Sequence, residues 1–495
     1  MLKATLRCAV LLGLVAWSLP ALAEVQNVKV SGDVTVRAFH RSNLDLHAND
    51  GGGLNGTPGI NGAAYPLDDE SFLMSTIGLN IGADLTENVS TFVRLANERD
   101  WNAPTSTGSA GTADSSSDFA LSQGYVTLKE LFYAPLTLKI GQQPIVWGRG
   151  FVLGSNLLPS ILLDKAAVNN DLHASITANE YTDFTAFDAI RATLDLSNVG
   201  GMNLPVTADY VYIKLDENSV FEDDDVTVQG LNFGTKFDAA KSEAELYYLF
   251  KHDSSPLLNA ENGGLSTLGI RGSAQPGNCM FWGELAWQFG TRPTDLEGVL
   301  SSGSRHQAWA FDFGGEHTFK DISMTPKLGG EWRFYSGKSV DSGAAPGWAA
   351  IAPGYFTTAI REFQGRRGVT GFNPVVQGGV TSGQTNQHEF GIFGGLKPLE
   401  DLRVDTRLSW FALAVGAIPP TSPAASAKRK HFIGTEWDTN FAYSYTDDVQ
   451  FGLLYALFLP GNVFRDAGNA TGAGGLTLAG DAIAQQLVTT VSVKF

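Results

Sequence analysis

What most constrains this 495-residue chain is the rhythm of its connections. Segments that alternate apolar and polar residues are joined in turn by tight turns and by long stretches rich in Gly, Ser, Asn and Asp. The tight turns include residues 86–88, 275–277, 320–322, 398–401 and 446–448. The long stretches run through about residues 42–70, 99–117, 148–180, 217–225, 253–263, 291–304, 337–384, 414–429 and 460–482. Short turns on one rim and long loops on the other are the mark of a barrel whose strands cross a bilayer and return. Counting strands between the connections gives about 18, each long enough for a tilted crossing. The fold expected is therefore all-β: a transmembrane antiparallel up-and-down β-barrel with short periplasmic turns and long extracellular loops.

Single strands carry the period of two. In the first, Val28, Val30, Val34, Val36 and Ala38 share one face, while Lys29, Ser31, Asp33, Thr35 and Arg37 share the other. In the last, Leu487, Thr489, Val491, Val493 and Phe495 alternate with Val488, Thr490, Ser492 and Lys494. An aromatic residue ending such a strand marks Phe495 as a candidate assembly signal, read by barrel assembly machinery. A soluble sheet would turn the apolar face inward, whereas a membrane barrel turns it to lipid and keeps a polar lumen.

Other features fit export to a bacterial outer membrane. Lys3 and Arg7 precede an apolar run that ends at Ala21-Leu22-Ala23, the pattern of a secretory signal peptide over residues 1–23, with one barrel domain over 24–495. No later segment has the apolar length of a membrane-spanning helix. Cys8 would leave with the leader, so Cys279 has no intramolecular partner and disulfides cannot stabilise the fold. Stability must come from backbone pairing or from a large core, and closing the sheet removes every edge that lipid could not satisfy. Aromatics gather at strand ends as two girdles: Trp147, Phe250, Trp287, Phe289, Phe334, Trp410 and Phe458 on the loop side, and Phe132, Phe237, Phe319, Tyr443 and Tyr445 on the turn side. The formal charge of −17 argues against a nucleic-acid partner.

A series of segments resembles the alginate-export family. Leu138-Lys139-Ile140-Gly141-Gln142-Gln143, followed by Trp147-Gly148-Arg149-Gly150, is similar to its Gly-Arg-Gln segment, with Gln142 in the place of the arginine. Phe187-Asp188-Ala189-Ile190-Arg191 resembles the strand that follows. Residues 283–290, 326–337, 434–438 and 458–461 continue the likeness in order. The turn 446–448 is short where alginate exporters have a long periplasmic segment. The resemblance implies an outer-membrane pore that exports an anionic polysaccharide, a polymer of uronic acids, with a possible periplasmic export partner.

With the apolar face toward lipid, alternation assigns Arg94, Lys139, Gln143, Arg191, Arg271, Glu284, Glu331, Arg333, Glu389, Arg403, Asp405, Arg407, Glu436 and Asp438 to the lumen. Two arrangements remain open. Arg191, Arg271, Arg333, Arg403 and Arg407 form a cationic corridor for carboxylates, or they pair with Glu284, Glu331, Glu389, Glu436 and Asp438 as ladders across neighbouring strands. Two loops are candidate selectivity elements: the apolar stretch 151–163, which enters the mouth, meets a partner or caps the rim, and the loop 337–385 with Arg361, Arg366 and Arg367, which lies across the entrance as a lid, attracts anions or is simply mobile.

The nearest alternative is a general or sugar-selective nutrient porin, and another is the barrel sheath of a porin–cytochrome conduit. The chain has no Cys-x-x-Cys-His for covalent haem, so no cofactor is expected. Its eight histidines are scattered, with neither Gly-x-Ser-x-Gly nor His-Glu-x-x-His among them, and no enzyme is expected.

Overall fold

The computed structural model describes residues 27–44, 46, 69–101, 119–155, 178–197, 205–216, 225–253, 263–291, 305–337, 347–364, 375–376, 379–380, 385–417, 429–465 and 482–495. The expected signal peptide, residues 1–23, lies outside the described residues, as do Arg366 and Arg367. Within them, eighteen strands form one sheet. They are β1 (Asn27–Ser42), β2 (Asp69–Asp84), β3 (Val89–Asp100), β4 (Ala120–Leu128), β5 (Leu136–Gln143) and β6 (Phe187–Asp195). Next come β7 (Val206–Asp216), β8 (Val226–Phe237), β9 (Ser242–Asp253), β10 (Gly263–Ala274), β11 (Cys279–Thr291) and β12 (Arg305–Thr318). The last are β13 (Lys327–Tyr335), β14 (Gln387–Leu399), β15 (Leu402–Ala417), β16 (Lys430–Ser444), β17 (Val449–Pro460) and β18 (Ala484–Lys494).

Each strand pairs antiparallel with its neighbours in sequence, and β18 returns to β1 with Ser492 opposite Thr35. The sheet thus closes with no free edge, as the strand count and the turn–loop rhythm require. Phe495 helps to seal the seam. Its N–H donates to the Gly32 carbonyl at 3.0 Å and its carbonyl accepts from the Gly32 N–H at 2.8 Å. Its ring lies where a Cβ on residue 32 would come within 2.6 Å of it, so glycine is required there.

The two faces separate as the alternation demands. On β13, Leu328 and Trp332 are exposed while Glu331, Arg333 and Tyr335 are buried. On β10, Leu268 and Ile270 are exposed while Thr267 and Arg271 are buried. The turn-rim aromatics Phe132, Phe237, Phe319, Tyr443 and Tyr445 all lie on the exposed surface. At the loop rim, Trp287 stacks on Phe289 and Trp309, with ring centroids 4.6 and 5.6 Å away. Trp147 and Phe458 depart from the expected girdle: both are buried inside the barrel, because loop segments fold inward and give them an apolar interior to join.

Three such inward segments stand out. Residues 145–153 and 348–352 share one apolar cluster with Phe187, Val211, Ile213 and Leu249 of the wall. Ile360 joins Phe411, Ile433, Phe458 and Phe464 in a second cluster. Ala178 and Tyr181 rest on Phe39 and Val488 in a third. Each fully buried side chain of this size contributes roughly 1.5–3 kcal/mol, enough to hold a loop against its conformational entropy. The apolar stretch that begins at Phe151 therefore enters the barrel: Phe151, Val152 and Leu153 are 3%, 2% and 1% exposed, and residues 156–163 lie outside the described residues.

Candidate functional site

The first two inward segments are joined to each other before they meet the wall. Gly148 (φ 58°) and Gly150 (φ 81°) adopt left-handed backbone on either side of Arg149, a conformation that a side chain would strain. The turn closes as the Gly150 N–H donates to the Trp147 carbonyl at 2.9 Å. The chain then runs beside residues 352–355: Gly154 donates to Ala352 at 2.7 Å, Ala352 to Val152 at 3.1 Å and Gly354 to Gly150 at 2.8 Å. A Cβ on Gly354 would lie 2.5 Å from the backbone of Gly154, so this approach too requires glycine. The result is one linked body across the lumen, here termed the plug.

Arginine–carboxylate pairs tie the plug to the wall of β12–β16. Arg333 donates to Glu362 of the plug at 2.6 Å, to Glu389 at 3.1 Å and to Thr357. Arg407 reaches Glu331 at 2.8 Å and Glu389 at 3.2 Å. Glu436 accepts from the backbone N–H groups of Ile360 and Arg361 at 2.6 and 2.8 Å. Arg361 is fully buried and donates to Gln387 at 2.9 Å. Gln288 clamps Ala349 through both its backbone groups, at 2.7 and 3.0 Å. Arg149 stacks between Trp282 (4.0 Å) and Tyr355 (4.2 Å) and faces Glu331 and Asp312 at 3.4 and 3.7 Å. It donates to the Tyr355 hydroxyl, which donates onward to Glu331 at 3.2 Å. Burial raises the Tyr355 phenol, which stays protonated and able to donate.

The third segment, residues 178–186, is fastened to a different part of the wall, β18 and β1–β3. Glu180 pairs with the buried Arg41, which also donates to Gln486 at 2.9 Å. Asp183 accepts from Arg94, whose other nitrogens reach Asp33 at 2.7 Å and Asn80 at 2.8 Å. Glu98 accepts from the Thr182 hydroxyl at 2.8 Å.

Between these bodies and the turn rim lies a cavity of about 700 Å³. Trp282, Tyr355, Phe356, Phe363 and Phe393 give it aromatic surface. Arg149, Lys327, Arg403 and Arg407 face it alongside Glu180, Glu316, Asp405 and Asp438. Both a sugar ring and a carboxylate can find partners in such a space: aromatic faces for one, guanidinium forks for the other.

The remaining lumen candidates fall elsewhere. Arg191 pairs with Asp209 at 2.9 Å, and the same carboxylate accepts from the Trp147 indole at 2.9 Å. Lys139, opposite Arg191 in register, lies over the Tyr125 ring at 4.5 Å. Gln143 is buried and donates to backbone carbonyls, including Ala189 at 2.9 Å. Arg271 holds Glu243 and Glu245 at 2.6 and 2.7 Å, and Glu284 opposite it accepts from Tyr247 at 2.7 Å. Arg403 and Asp405 pair at 2.6 Å near the turn rim. All five arginines of the expected corridor thus touch carboxylates, but several partners, among them Glu362, Asp209, Glu243 and Glu245, were not among the residues that alternation singled out. Nor were Arg41, Arg149, Glu180 and Asp183. The one sequence signal near Arg149 is the glycine on each side of it, which marks a special backbone and not a role.

A family model described as alginate export matches residues 66–474. No curated protein sequence matches the chain. Among solved structures, the barrel is similar to the outer-membrane porin OccAB1 of Acinetobacter baumannii, at 11% identity and TM-score 0.51 over 96% of this chain and 99% of that one. OccAB2 of the same organism matches at 10% identity and TM-score 0.50, over 96% and 99%. OccK9 (OpdG) of Pseudomonas aeruginosa matches at 11% and 0.50, over 95% and 99%. At these identities the likeness shows the fold, a closed outer-membrane barrel. With that barrel and the family match over most of its length, the chain belongs to the alginate-export family and is a bacterial outer-membrane channel for hydrophilic solutes.

Proposed function

We propose that the channel passes acidic saccharides, uronate chains being the cargo that the family name suggests. The observation that carries this reading is the cavity on the turn side of the plug, where Phe356, Phe363 and Phe393 supply aromatic surface and Arg149, held between Trp282 and Tyr355, lies in the same lining as Arg407. A pyranose lays its C–H face on an aromatic ring, and a guanidinium takes a carboxylate with two parallel hydrogen bonds. Both cations are already partly neutralised by Glu331, so a carboxylate is held weakly enough to move on. The plug bounds this cavity with its own side chains, an arrangement suited to recognition of sugar units. Phe495, exposed next to the strand that closes the barrel, is the proposed contact for barrel assembly machinery, and the turn rim is the face open to a periplasmic export partner.

Reversal potential in a salt gradient, measured on the purified protein in a planar bilayer, tests the reading. Anion selectivity, and block by uronate oligomers at lower concentration than by neutral sugars, is the result expected. Cation selectivity, or block by neutral sugars alone, would replace it with a nutrient porin.

A further inference from the structure

One group in the cavity is at odds with its neighbours. Asp438 is 8% exposed and lines the cavity, yet among the described residues no N–H or hydroxyl donates to either of its carboxyl oxygens, no cation lies within 4.0 Å, and the side chain at hydrogen-bond range is another acid, Glu436. The other acids of the cavity are engaged: Asp405 with Arg403 and Lys327, Glu316 with Lys327, and Glu180 with Arg41. Arg407 is the register partner of Asp438 on β15, but it is turned to Glu331, Glu389 and Ser409. Glu436, two residues along the same face, accepts from the backbone of the plug and sets its carboxyl against that of Asp438, two acids that cannot both ionise without cost.

With an acid beside it and no cation near, the ionised form of Asp438 is costly in the empty channel, and a ligand that supplies donors lowers that cost. Simple anions bring no donors and cannot do this. A sugar hydroxyl can, and two vicinal hydroxyls match the two oxygens of a carboxylate, which is acceptor-only when ionised. Asn440 and Thr406, polar groups of the same cavity wall, and the Tyr181 ring complete a surface suited to a hydroxylated ring.

We propose that Asp438 is a specificity-determining residue that accepts hydrogen bonds from the hydroxyls of a pyranose in the cavity, while Arg149 and Arg407 take the carboxylate of the same sugar. The proposal rests on the acidic-saccharide reading above and adds a division of labour to it. The cations admit the acid, and the aspartate admits it only as a sugar. The cations and the hydroxyl acceptor together then discriminate uronates from small bare anions.

The test is block of potassium chloride current by three probes: galacturonate, cyclohexanecarboxylate (the same charge without hydroxyls) and methyl galactoside (hydroxyls without charge). In the wild type, galacturonate is expected to block at the lowest concentration. Asp438→Ala should raise its half-blocking concentration about tenfold, the loss of one charge-assisted hydrogen bond. Asp438→Asn, which keeps an acceptor oxygen, should raise it less. Block by cyclohexanecarboxylate should stay the same or strengthen in both variants. Heat-modified gel migration confirms the barrel, and if the alanine variant fails to assemble, the asparagine variant decides. Galacturonate block unchanged by either variant, or block by both acids shifted in parallel, overturns the role of Asp438 and leaves the acidic-saccharide reading standing. Block by methyl galactoside alone, weakened by Asp438→Ala, keeps the hydroxyl site and overturns the acidic-saccharide reading. Failure of both sugars to block the wild type overturns both.

Discussion

The loop-side and turn-side halves of the lumen are built from the same residue types and differ in water. Around the plug, Arg333 is 0% exposed as a side chain and its partners Glu362 and Glu389 are each 1% exposed. Near the turn rim, Arg403 is 54% exposed and Asp405 25%. Alternation in sequence reads both arginines as equal members of one corridor. Their energetics are unequal, because a charge that loses its partner in a dry site has nothing to replace it, whereas a wet one exchanges its partner for solvent. The dry half therefore holds the plug in place, and the wet half is where solutes can compete for charge.

The largest effect is expected at the dry end. Arg333→Met takes the paired cation from Glu362 and leaves Glu389 with Arg407 alone, and breaking a buried network of this kind costs about 3–5 kcal/mol. The urea unfolding midpoint of the reconstituted barrel should fall accordingly. Because Glu362 belongs to the plug, single-channel conductance should also rise and become noisier. A variant that loses stability with conductance intact would show that the plug is held by its apolar contacts alone.

Arg94 provides the intermediate case, with a side chain 12% exposed and carboxylate partners at 20% and 23%. Its hydrogen bonds to Asp33 and Asp183 are charge-assisted, and water can reach all three groups. Arg94→Met should cost about 1.5–3 kcal/mol. It should loosen only residues 178–186, read as faster amide exchange at Asp183 and Phe184 with the plug segments unchanged. Loss of protection in the plug as well would mean that the two inward bodies are coupled, and the contrast between them would weaken.

How much of this the sequence discloses follows from where periodicity holds. Strand number, closure and lumen face were legible because lipid outside and water inside enforce a period of two, as on β13, where Glu331 and Arg333 alternate with Trp332. Loops carry no such period. Glu362, Glu180 and Asp183 matter through the folding back of their segments onto Arg333, Arg41 and Arg94, contacts between residues 29 to 139 positions apart. Arg361 reads in sequence as a cation offered at the entrance. It is instead buried where a helical turn, Arg361–Gln364, rests its backbone on Glu436. Trp147 and Phe458 read as girdle residues because a strand end does not say which way a side chain turns once a loop supplies an interior. Asp438 was legible as a lumen residue, but its lack of a nearby cation is a property of three dimensions only.

The smallest effect belongs to Arg403, and its form separates the two halves most clearly. Its pair with Asp405 at 2.6 Å is largely in solvent, and such pairs are worth about 0–1 kcal/mol, so Arg403→Ala should leave the unfolding midpoint nearly unchanged. Asp405 keeps a second cation, Lys327, at 3.4 Å, which further limits the cost. What should change is permeation: with one fewer cation at the turn rim, the reversal potential should move toward cation selectivity. A wet charge acts through screened potential, and the screening length falls from about 10 Å at 0.1 M salt to about 3 Å at 1 M. The shift should therefore be clear at 0.1 M and nearly vanish at 1 M. If it persists undiminished at 1 M, the vestibule excludes counterions as the plug region does. Arg403 would then belong with Arg333 among the dry charges, and the division of the lumen would have to be redrawn nearer the turn rim.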